Sequence, residues 1–216
     1  MSGLTTNMLL EAYRCGIFPM AEERDADELF WVEPKARGIL PLDKFHISRA
    51  LRKTIISKRF RVSVDTAFAK VIRLCASAQA GRKETWINDE IIELYTKLHE
   101  EGHVHSIEVW EMGILVGGLY GVSVGGAFCG ESMFHLETGA SKVALAYTTA
   151  RLKAGGYTLF DIQFVTDHLS TFGAISIPQK QYLVLLQKAL NVRPNFYQLP
   201  GDVSGEEVIQ VIAQTS

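Results

Sequence analysis

The segment TLFDIQF places an acid and an amide two positions apart, in a run that alternates like a β-strand. Alternation puts three apolar side chains on one face and Asp161 with Gln163 on the other. An acid in this position can orient the amide, whose oxygen can accept a hydrogen bond from an attacking amine. The alternative is a structural pair on a solvent-exposed face. We interpret Asp161 and Gln163 as catalytic candidates.

A second acid, Glu131, lies in the predicted strand FCGESMF. Alternation places it on one face between the thiol of Cys129 and the thioether of Met133. A carboxylate in such surroundings is costly unless it is paired. A guanidinium or ammonium group from a partner molecule would pair with it, and so would an internal cation such as Lys142 or Arg151. The sequence leaves both possibilities open.

Trp86 comes just before a predicted helix and shortly after Arg82 and Lys83. An aromatic ring beside cations suits stacking on a nucleobase. Tryptophan also packs in protein cores, so this signal is weak by itself.

The sequence HEEGH, from His99 to His103, matches the zinc-protease pattern HExxH. That pattern binds zinc only when both histidines share one face of a continuous helix. Here Gly102 precedes the second histidine and strand alternation begins at once. We expect the helix to end between the two histidines, and we expect no metal site.

Charge is unevenly distributed along the 216 residues, although the net charge is only −2. Thirteen Lys and Arg residues and two acidic residues fall between Lys35 and Lys83, which leaves the remainder strongly acidic. A basic stretch of this density suits a phosphate backbone, whereas the acidic remainder suits a cationic partner. Solvated surfaces are the alternative interpretation. The candidate RNA-binding residues are Arg49, Arg52, Lys53, Lys58, Arg59, Arg61, Arg82 and Lys83.

The composition is that of a globular protein with a sizeable core, since 47% of the residues are hydrophobic. The three cysteines form no CxxC pair, which predicts reduced, buried thiols in a cytoplasmic protein. The start of the chain lacks the pattern of a signal peptide, and no uncharged run suits a membrane span.

Periodicity and capping residues predict an α+β fold with a mostly antiparallel sheet flanked by helices. Ser48, Asp65 and Asn88 are the predicted N-caps of three helices, and a three-strand meander follows. We expect a small N-terminal domain over 1–34 (a helix and an irregular segment), a main domain over 35–190, and a C-terminal tail over 191–216 that packs back on the body. This element order is that of the GNAT acyltransferase fold.

GNAT enzymes that use acetyl-CoA typically carry a Q/R-x-x-G-x-G/A loop where the last meander strand leads into a helix. The corresponding junction here is HLETGASK, with Leu136 and Ser141 at two of the required positions. The loop that binds pyrophosphate is therefore missing, and we expect no CoA and no other cofactor.

Several segments together resemble the leucyl/phenylalanyl-tRNA–protein transferases. They include AYRCGIFPM, FHISRALRK, TWIN, FCGESMF, ASKVAL and DIQFVTDHLSTFGA, and they extend from about residue 11 to residue 190. FCGESMF and the D-x-Q motif with its downstream TDH are the most specific. The resemblance implies an enzyme that moves Leu or Phe, less readily Met, from aminoacyl-tRNA to proteins with an N-terminal Arg or Lys. The product would be a degradation signal.

The resemblance also assigns roles to residues. It implies a GNAT-like, cytoplasmic enzyme, for which we expect a monomer. Gln163 and Asp161 would form the catalytic relay, and Glu131 would help to bind the acceptor. Trp86 would lie near the terminal adenosine of the tRNA. The pocket for the amino-acid side chain would be lined by Leu119, Phe128 and Met133.

The chain departs from the family pattern in two places. The family commonly has a longer leader before the first helix, and it often has Trp where this chain has Met20. Trp31 is the candidate replacement for that ring. Two other functions compete with transfer from aminoacyl-tRNA: a CoA-dependent N-acetyltransferase, and a non-catalytic RNA-binding module that would not need Asp161 and Gln163 on one face.

Overall fold

A computed structural model describes residues 4–21, 29–77 and 86–214. Its helices are α1 (Thr6–Arg14), α2 (Arg49–Ile56), α3 (Phe68–Cys75), α4 (Asp89–Glu100), α5 (Ala140–Ala154), α6 (Asp167–Ser170), α7 (Gln179–Leu190) and α8 (Gly205–Ala213). Its strands are β1 (Phe18–Ala21), β2 (Leu29–Val32), β3 (Ala36–Ile39), β4 (Arg61–Val64), β5 (Val104–Glu111), β6 (Ile114–Val124), β7 (Ala127–His135), β8 (Leu159–Gln163) and β9 (Ile175–Pro178).

Seven strands form one mixed sheet in the order β4-β5-β6-β7-β8-β3-β9. Neighbouring strands are antiparallel except β7 and β8, which are parallel. Buried side chains of α1, α3, α4 and α7 pack on one face of the sheet, and those of α2, α5, α6 and α8 pack on the other. The predicted α+β class, with a mostly antiparallel sheet between helices, is confirmed.

Capping side chains explain where several helices begin. Ser48 accepts a hydrogen bond from the backbone N–H of Leu51, and Asn88 accepts one from that of Ile91, as predicted. The predicted cap at Asp65 is wrong, because α3 begins three residues later and Asp65 binds the backbone N–H of Ser106 instead.

The segment between residues 16 and 34, expected to be irregular, contains β1 and β2, which pair antiparallel as a separate small sheet. The helix α4 ends at Glu100, so His99 and His103 do not share a continuous helix, as expected. His99 contacts the carbonyl of Val104 instead.

The three cysteines carry free thiols. Cys75 and Cys129 are buried as predicted, but Cys15 is exposed at the end of α1. Among the described residues, no helix combines the length and the apolar character that a bilayer crossing needs.

Candidate active site

The parallel strands β7 and β8 pair only briefly and then separate. Their pairing covers Ala127–Cys129 and Leu159–Asp161. Beyond it, β7 stays paired with β6, while the end of β8 pairs with β3 on its other side. A cavity of about 360 Å³ opens where they diverge, with Glu131 of β7 and Gln163 of β8 in its wall. The diverging strands therefore bring the predicted acceptor-binding acid and the predicted catalytic amide to one place.

The remaining walls of this reaction cavity are mostly apolar. Trp86, Leu119 and Met133, predicted to bind substrate, line it. Further apolar side chains come from the N-terminal segment, β8, the following loop, α5 and α6: Phe18, Met20, Phe160, Ile162, Phe164, Leu145 and Leu169. Phe128 does not line the cavity. It is fully buried in the core, where its ring stacks on that of Phe196.

A β-bulge places Glu131 in the cavity wall. Tyr120 of β6 pairs with Ser132 of β7, but the next residue, Gly121, pairs with Gly130. Glu131 is therefore an extra residue without a partner on β6, which bends the strand and re-aims the carboxylate. Nothing in the local alternation of FCGESMF indicates this bulge.

The bulge also reverses the alternation of the residues that follow it. Cys129 and Met133, predicted to share a face, belong to different core layers, and so do Phe128 and Phe134. The predicted faces are therefore wrong beyond residue 130. The reversal places Met133, rather than Phe134, in the reaction cavity.

Uncharged groups hold the carboxyl of Glu131. Its Oε1 accepts a hydrogen bond of 2.9 Å from Nε2 of Gln163, and its Oε2 accepts one of 3.3 Å from the hydroxyl of Tyr95. The hydroxyls of Tyr95 and Tyr13 hydrogen-bond to each other behind it. Because the amide nitrogen of Gln163 faces Glu131, its Oε1 remains available as an acceptor.

The internal cations considered for Glu131 lie elsewhere. Arg151 donates hydrogen bonds to carbonyl groups of the C-terminal segment, and Lys142 is exposed. Burial, helped by the charge of Asp161, raises the pKa of Glu131 to about 8, although hydrogen bonds from the two tyrosines and the charge of Arg37 oppose the rise. Among the described residues, no ammonium or guanidinium group contacts this carboxyl.

Asp161 lies behind the cavity wall rather than in it, and it is completely buried. Arg37 donates to both of its oxygens at 2.6–3.1 Å, and the hydroxyl of Tyr182 donates at 2.7 Å. Asp161 also accepts a hydrogen bond of 2.9 Å from the backbone N–H of Gln163. The expectation that Asp161 holds the side-chain amide of Gln163 is therefore wrong: it holds the backbone, and Glu131 holds the amide.

Arg37 connects the N-terminal segment to this buried centre. Its guanidinium lies between the rings of Phe18 and Tyr182, 4.5 and 4.7 Å from their centroids, and donates to the carbonyl of Gly16. Burial alone would lower its pKa, but the hydrogen bonds and charge of Asp161 raise the pKa above the usual value. Arg37 therefore remains charged and fixes Phe18 at the cavity wall.

The backbone at the end of β8 is unusual. Gln163 has φ = 55°, in the left-handed region that non-glycine residues rarely adopt. Alternation therefore breaks at this residue, and Phe164 lies beyond the strand, about half exposed. Gly38 of β3 permits the turn, because a Cβ at this position would come within 2.9 Å of the backbone of Phe164 and Val165.

Met20 and Trp31 lie on paired strands but cannot replace each other. Met20 lines the reaction cavity and pairs with Phe30. Trp31 pairs with Pro19, so its side chain lies on the opposite face of the small sheet. Trp31 is 44% exposed and does not line the cavity, so the expectation that it substitutes for a ring at position 20 is wrong.

Six of the eight predicted RNA-binding residues are exposed on or after α2. Arg59 is already bound by the carboxylates of Glu111 and Glu137. Arg82 and Lys83 lie outside the described residues. Arg49, Arg52, Lys53, Lys58 and Arg61 form no ion pair with the described part of the chain.

Four polar residues of the site have no clear signal in the sequence: Tyr13, Tyr95, Arg37 and Tyr182. Both Tyr13 and Tyr95 occupy the apolar faces of helices, where an aromatic residue is expected in any core. Arg37 belongs to the basic stretch, whose residues were expected at the surface. Only tertiary contacts reveal their roles.

A paired amide and carboxyl beside an apolar cavity suit an enzyme that transfers apolar acyl groups to an amine. A family model described as "Leucyl/phenylalanyl-tRNA protein transferase" matches residues 39–187, and one described as its N-terminal domain matches residues 3–35. The chain therefore belongs to the leucyl/phenylalanyl-tRNA protein transferase family and is an aminoacyltransferase.

Relatives with this name match the whole chain. The leucyl/phenylalanyl-tRNA–protein transferase of Nitrobacter winogradskyi is 56% identical over 217 residues, which cover 100% of this chain and 96% of that protein. Those of Maricaulis maris and Rhizorhabdus wittichii are 49% and 47% identical, with 100% of both chains covered in each case.

Among solved structures, the crystal structure of FemX is similar with a TM-score of 0.50 and 12% sequence identity. The match covers 84% of this chain and 71% of that one. A similarity at this identity concerns the fold alone.

Proposed function

We propose that this protein transfers Leu or Phe, less readily Met, from aminoacyl-tRNA to the α-amine of proteins with an N-terminal Arg or Lys. The new N-terminal residue then acts as a degradation signal. The hydrogen bond between Gln163 and Glu131 in the wall of an apolar cavity carries this proposal. It places an acceptor for an amine and a site for a cation beside a pocket for an apolar side chain.

The reaction needs positioning more than it needs strong acid or base chemistry, because the donor is an activated ester. The neutral α-amine, with a reference pKa of about 7.7–8.0, attacks the ester carbonyl while Oε1 of Gln163 accepts one of its hydrogens. A C–N bond forms, the ester C–O bond breaks, and the amine proton finally resides on the released ribose hydroxyl. Holding both substrates in one cleft supplies most of the acceleration.

The cavity walls account for the choice of donor. Leu119, Met133 and Phe18 surround a volume suited to a long aliphatic or aromatic side chain, and Met adapts to either shape. Trp86, at the same cavity, is placed to stack on the terminal adenine. The exposed cations of α2 hold the phosphate backbone without reading its sequence.

Glu131 accounts for the choice of acceptor. Its carboxyl contacts no cation among the described residues, so a protein N-terminus that brings an ammonium or guanidinium group supplies the missing charge. That charge favours ionised Glu131, which in turn holds the amide of Gln163 toward the amine. An acidic or apolar N-terminus offers no such compensation.

The proposal extends to the fold and the assembly. We assign residues 35–190 to a GNAT-like domain, supported by the cleft between its parallel strands, and residues 1–34 to a small domain that contributes Phe18 and Met20 to the cavity. Residues 191–216 form a tail, supported by α8, which packs on α5. We propose that the enzyme acts as a monomer, because every residue that the proposal uses lies on one chain, and that it acts in the cytoplasm, because its donor is an aminoacyl-tRNA.

A transfer assay tests this function. The purified protein is mixed with leucyl-tRNA and a peptide that begins with Arg, and we expect the peptide to gain the mass of one leucine. Matched peptides that begin with Lys and Glu should respectively accept and refuse leucine. A leucine gain on the Glu peptide, or a gain of acetyl from acetyl-CoA and none from leucyl-tRNA, would overturn the proposal.

The raised pKa of Glu131 makes stability depend on pH. The folded protein holds the proton of Glu131 up to about pH 8, whereas an unfolded chain releases it near pH 4.3. This contribution to stability is complete below pH 4 and is lost as the pH rises toward 8. Relative to Glu131→Gln, the wild type should lose on the order of a few kcal/mol of unfolding free energy between pH 5 and 9.

Urea unfolding of both proteins at several pH values measures this difference. Glu93→Gln, at an exposed position of α4 outside the cavity, is the matched control and should follow the wild type. Parallel pH curves for the wild type and Glu131→Gln would show that Glu131 ionises freely in the folded protein.

A further inference from the structure

A second cavity of about 290 Å³ adjoins the reaction cavity and shares Met133 and His168 with it. It lies between the end of β7, the first turn of α5, and α6. Its polar wall includes His135, Ser141 and Lys142. His168 belongs to the TDH motif, for which the transfer mechanism above has no use.

This second cavity has a concentration of cationic and titratable groups. Burial lowers the pKa of His168, and the positive charges of Lys142 and His135 lower it further. Lys142 is exposed and forms no ion pair with the described residues. The Nδ1 atom of His135 lies 3.4 Å from the hydroxyl of Ser141.

The nearby acids Glu137 and Asp167 form no ion pair with these groups. Glu137 is bound to Arg59, and Asp167 is exposed on α6 without an ion pair to a described residue. The first turn of α5 has no side-chain cap, so the dipole of this 15-residue helix adds to the positive potential.

The position of the cavity indicates what it holds. The start of α5 lies beside the basic helix α2, where Thr54 is close to Gly139. Gly139 also lines the second cavity. A polynucleotide that is anchored on α2 and reaches the reaction cavity with its 3′ end would pass close to this cavity.

We propose that the second cavity is a phosphate subsite for the single-stranded 3′ end of the donor RNA, in which Lys142 and the hydroxyl of Ser141 bind a phosphodiester beside His168. The inference rests on the proposed function and adds a contact that fixes the terminal nucleoside. An ammonium group binds phosphate as a point charge, and a hydroxyl adds a directed hydrogen bond. The subsite positions the ester without reading a base.

Three donors test the subsite: leucyl-tRNA, the dinucleotide leucyl-CpA, and leucyl-adenosine, which has no phosphodiester. For Lys142→Gln we expect KM to rise about threefold to tenfold with leucyl-CpA and leucyl-tRNA, with little change in kcat. The variant should use leucyl-adenosine as efficiently as the wild type does. Lys142→Arg should restore most of the loss, and Lys188→Gln, an exposed change on α7, should have no effect.

The dependence on salt and a binding measurement give independent readouts. The log–log salt slope for leucyl-CpA should fall by roughly 0.7 in Lys142→Gln, the value for one phosphate of a single strand. Wild-type protein should bind CpA more tightly than adenosine, and Lys142→Gln should bind both alike. Inorganic phosphate should not displace CpA at equal concentration, whereas displacement would indicate a free-anion site.

The outcomes separate the subsite from the enzyme's function. Suppose that the wild type transfers leucine and that Lys142→Gln reduces activity equally with all three donors or with none of them. That result overturns the subsite and leaves the function intact. A wild type that transfers leucine from no donor overturns the function, and the CpA binding ratio then decides the subsite separately.

Discussion

Replacing Arg37 by Met is expected to destabilise the folded protein by about 3–5 kcal/mol, because the change leaves the charge of Asp161 buried without a counterion. Arg37 and Asp161 are exposed by 1% or less and are joined by three hydrogen bonds. Tyr182 and the backbone N–H of Gln163 would still donate hydrogen bonds to Asp161, but neither carries a positive charge. Urea unfolding at pH 7 measures the loss.

Arg59→Met is the matched control for this variant. Arg59 also binds carboxylates in two directions, to Glu111 and Glu137, but it does so at the surface, where solvent screens the interaction. Arg59→Met should therefore lose much less unfolding free energy than Arg37→Met. The double variant Arg37→Met/Asp161→Asn should recover part of the stability, because it removes the orphaned charge. A loss below about 1 kcal/mol for Arg37→Met would show that the pair is not needed for folding.

The parts of the fold that local signals control could be predicted from the sequence. Side-chain caps and helical periodicity located α2 and α4, and short glycine turns with alternation located the meander of β5, β6 and β7. The strands β3 and β9 have only four residues each, and they form because β3 pairs with β8 and β9 pairs with β3, far apart along the chain. No pattern within four residues distinguishes such strands from loops.

In the candidate site, too, the sequence indicates individual residues but not the tertiary contacts between them. The motifs indicated Glu131 and Gln163, and the structure places both in one cavity wall. The hydrogen bond between the two side chains depends on the bulge at residue 131 and on the left-handed backbone of Gln163. Strand alternation predicts neither feature. The buried pair of Arg37 and Asp161 spans 124 residues, so no local spacing records it.

The structure also changes how the acid and the amide cooperate. A relay through one strand face would make Asp161 act on the amide directly. In the observed arrangement, Asp161 with Arg37 fixes the backbone at residue 163, and Glu131 with Tyr95 fixes the amide orientation. We therefore propose that Asp161 is a positioning residue and that Gln163 contacts the reacting amine.

Replacing Gln163 by Ala is expected to lower kcat/KM for leucine transfer by about 10²-fold or more, with the affinity for leucyl-tRNA unchanged. The variant keeps the apolar cavity and the basic helix, which bind the donor, but removes the oxygen that accepts a hydrogen from the amine. Single-turnover transfer from leucyl-tRNA to the Arg peptide measures the rate, and a binding titration measures the affinity.

Two further variants separate chemistry from backbone strain. Gln163→Asn tolerates the left-handed conformation but has a shorter reach, so it should fold as well as the wild type and still lose most of the transfer rate. Gln187→Ala, at an exposed glutamine on α7, should retain full activity. If Gln163→Ala or Gln163→Asn transfers leucine at the wild-type rate, the amine is oriented by other groups, and Glu131 becomes the side chain on which the chemistry depends.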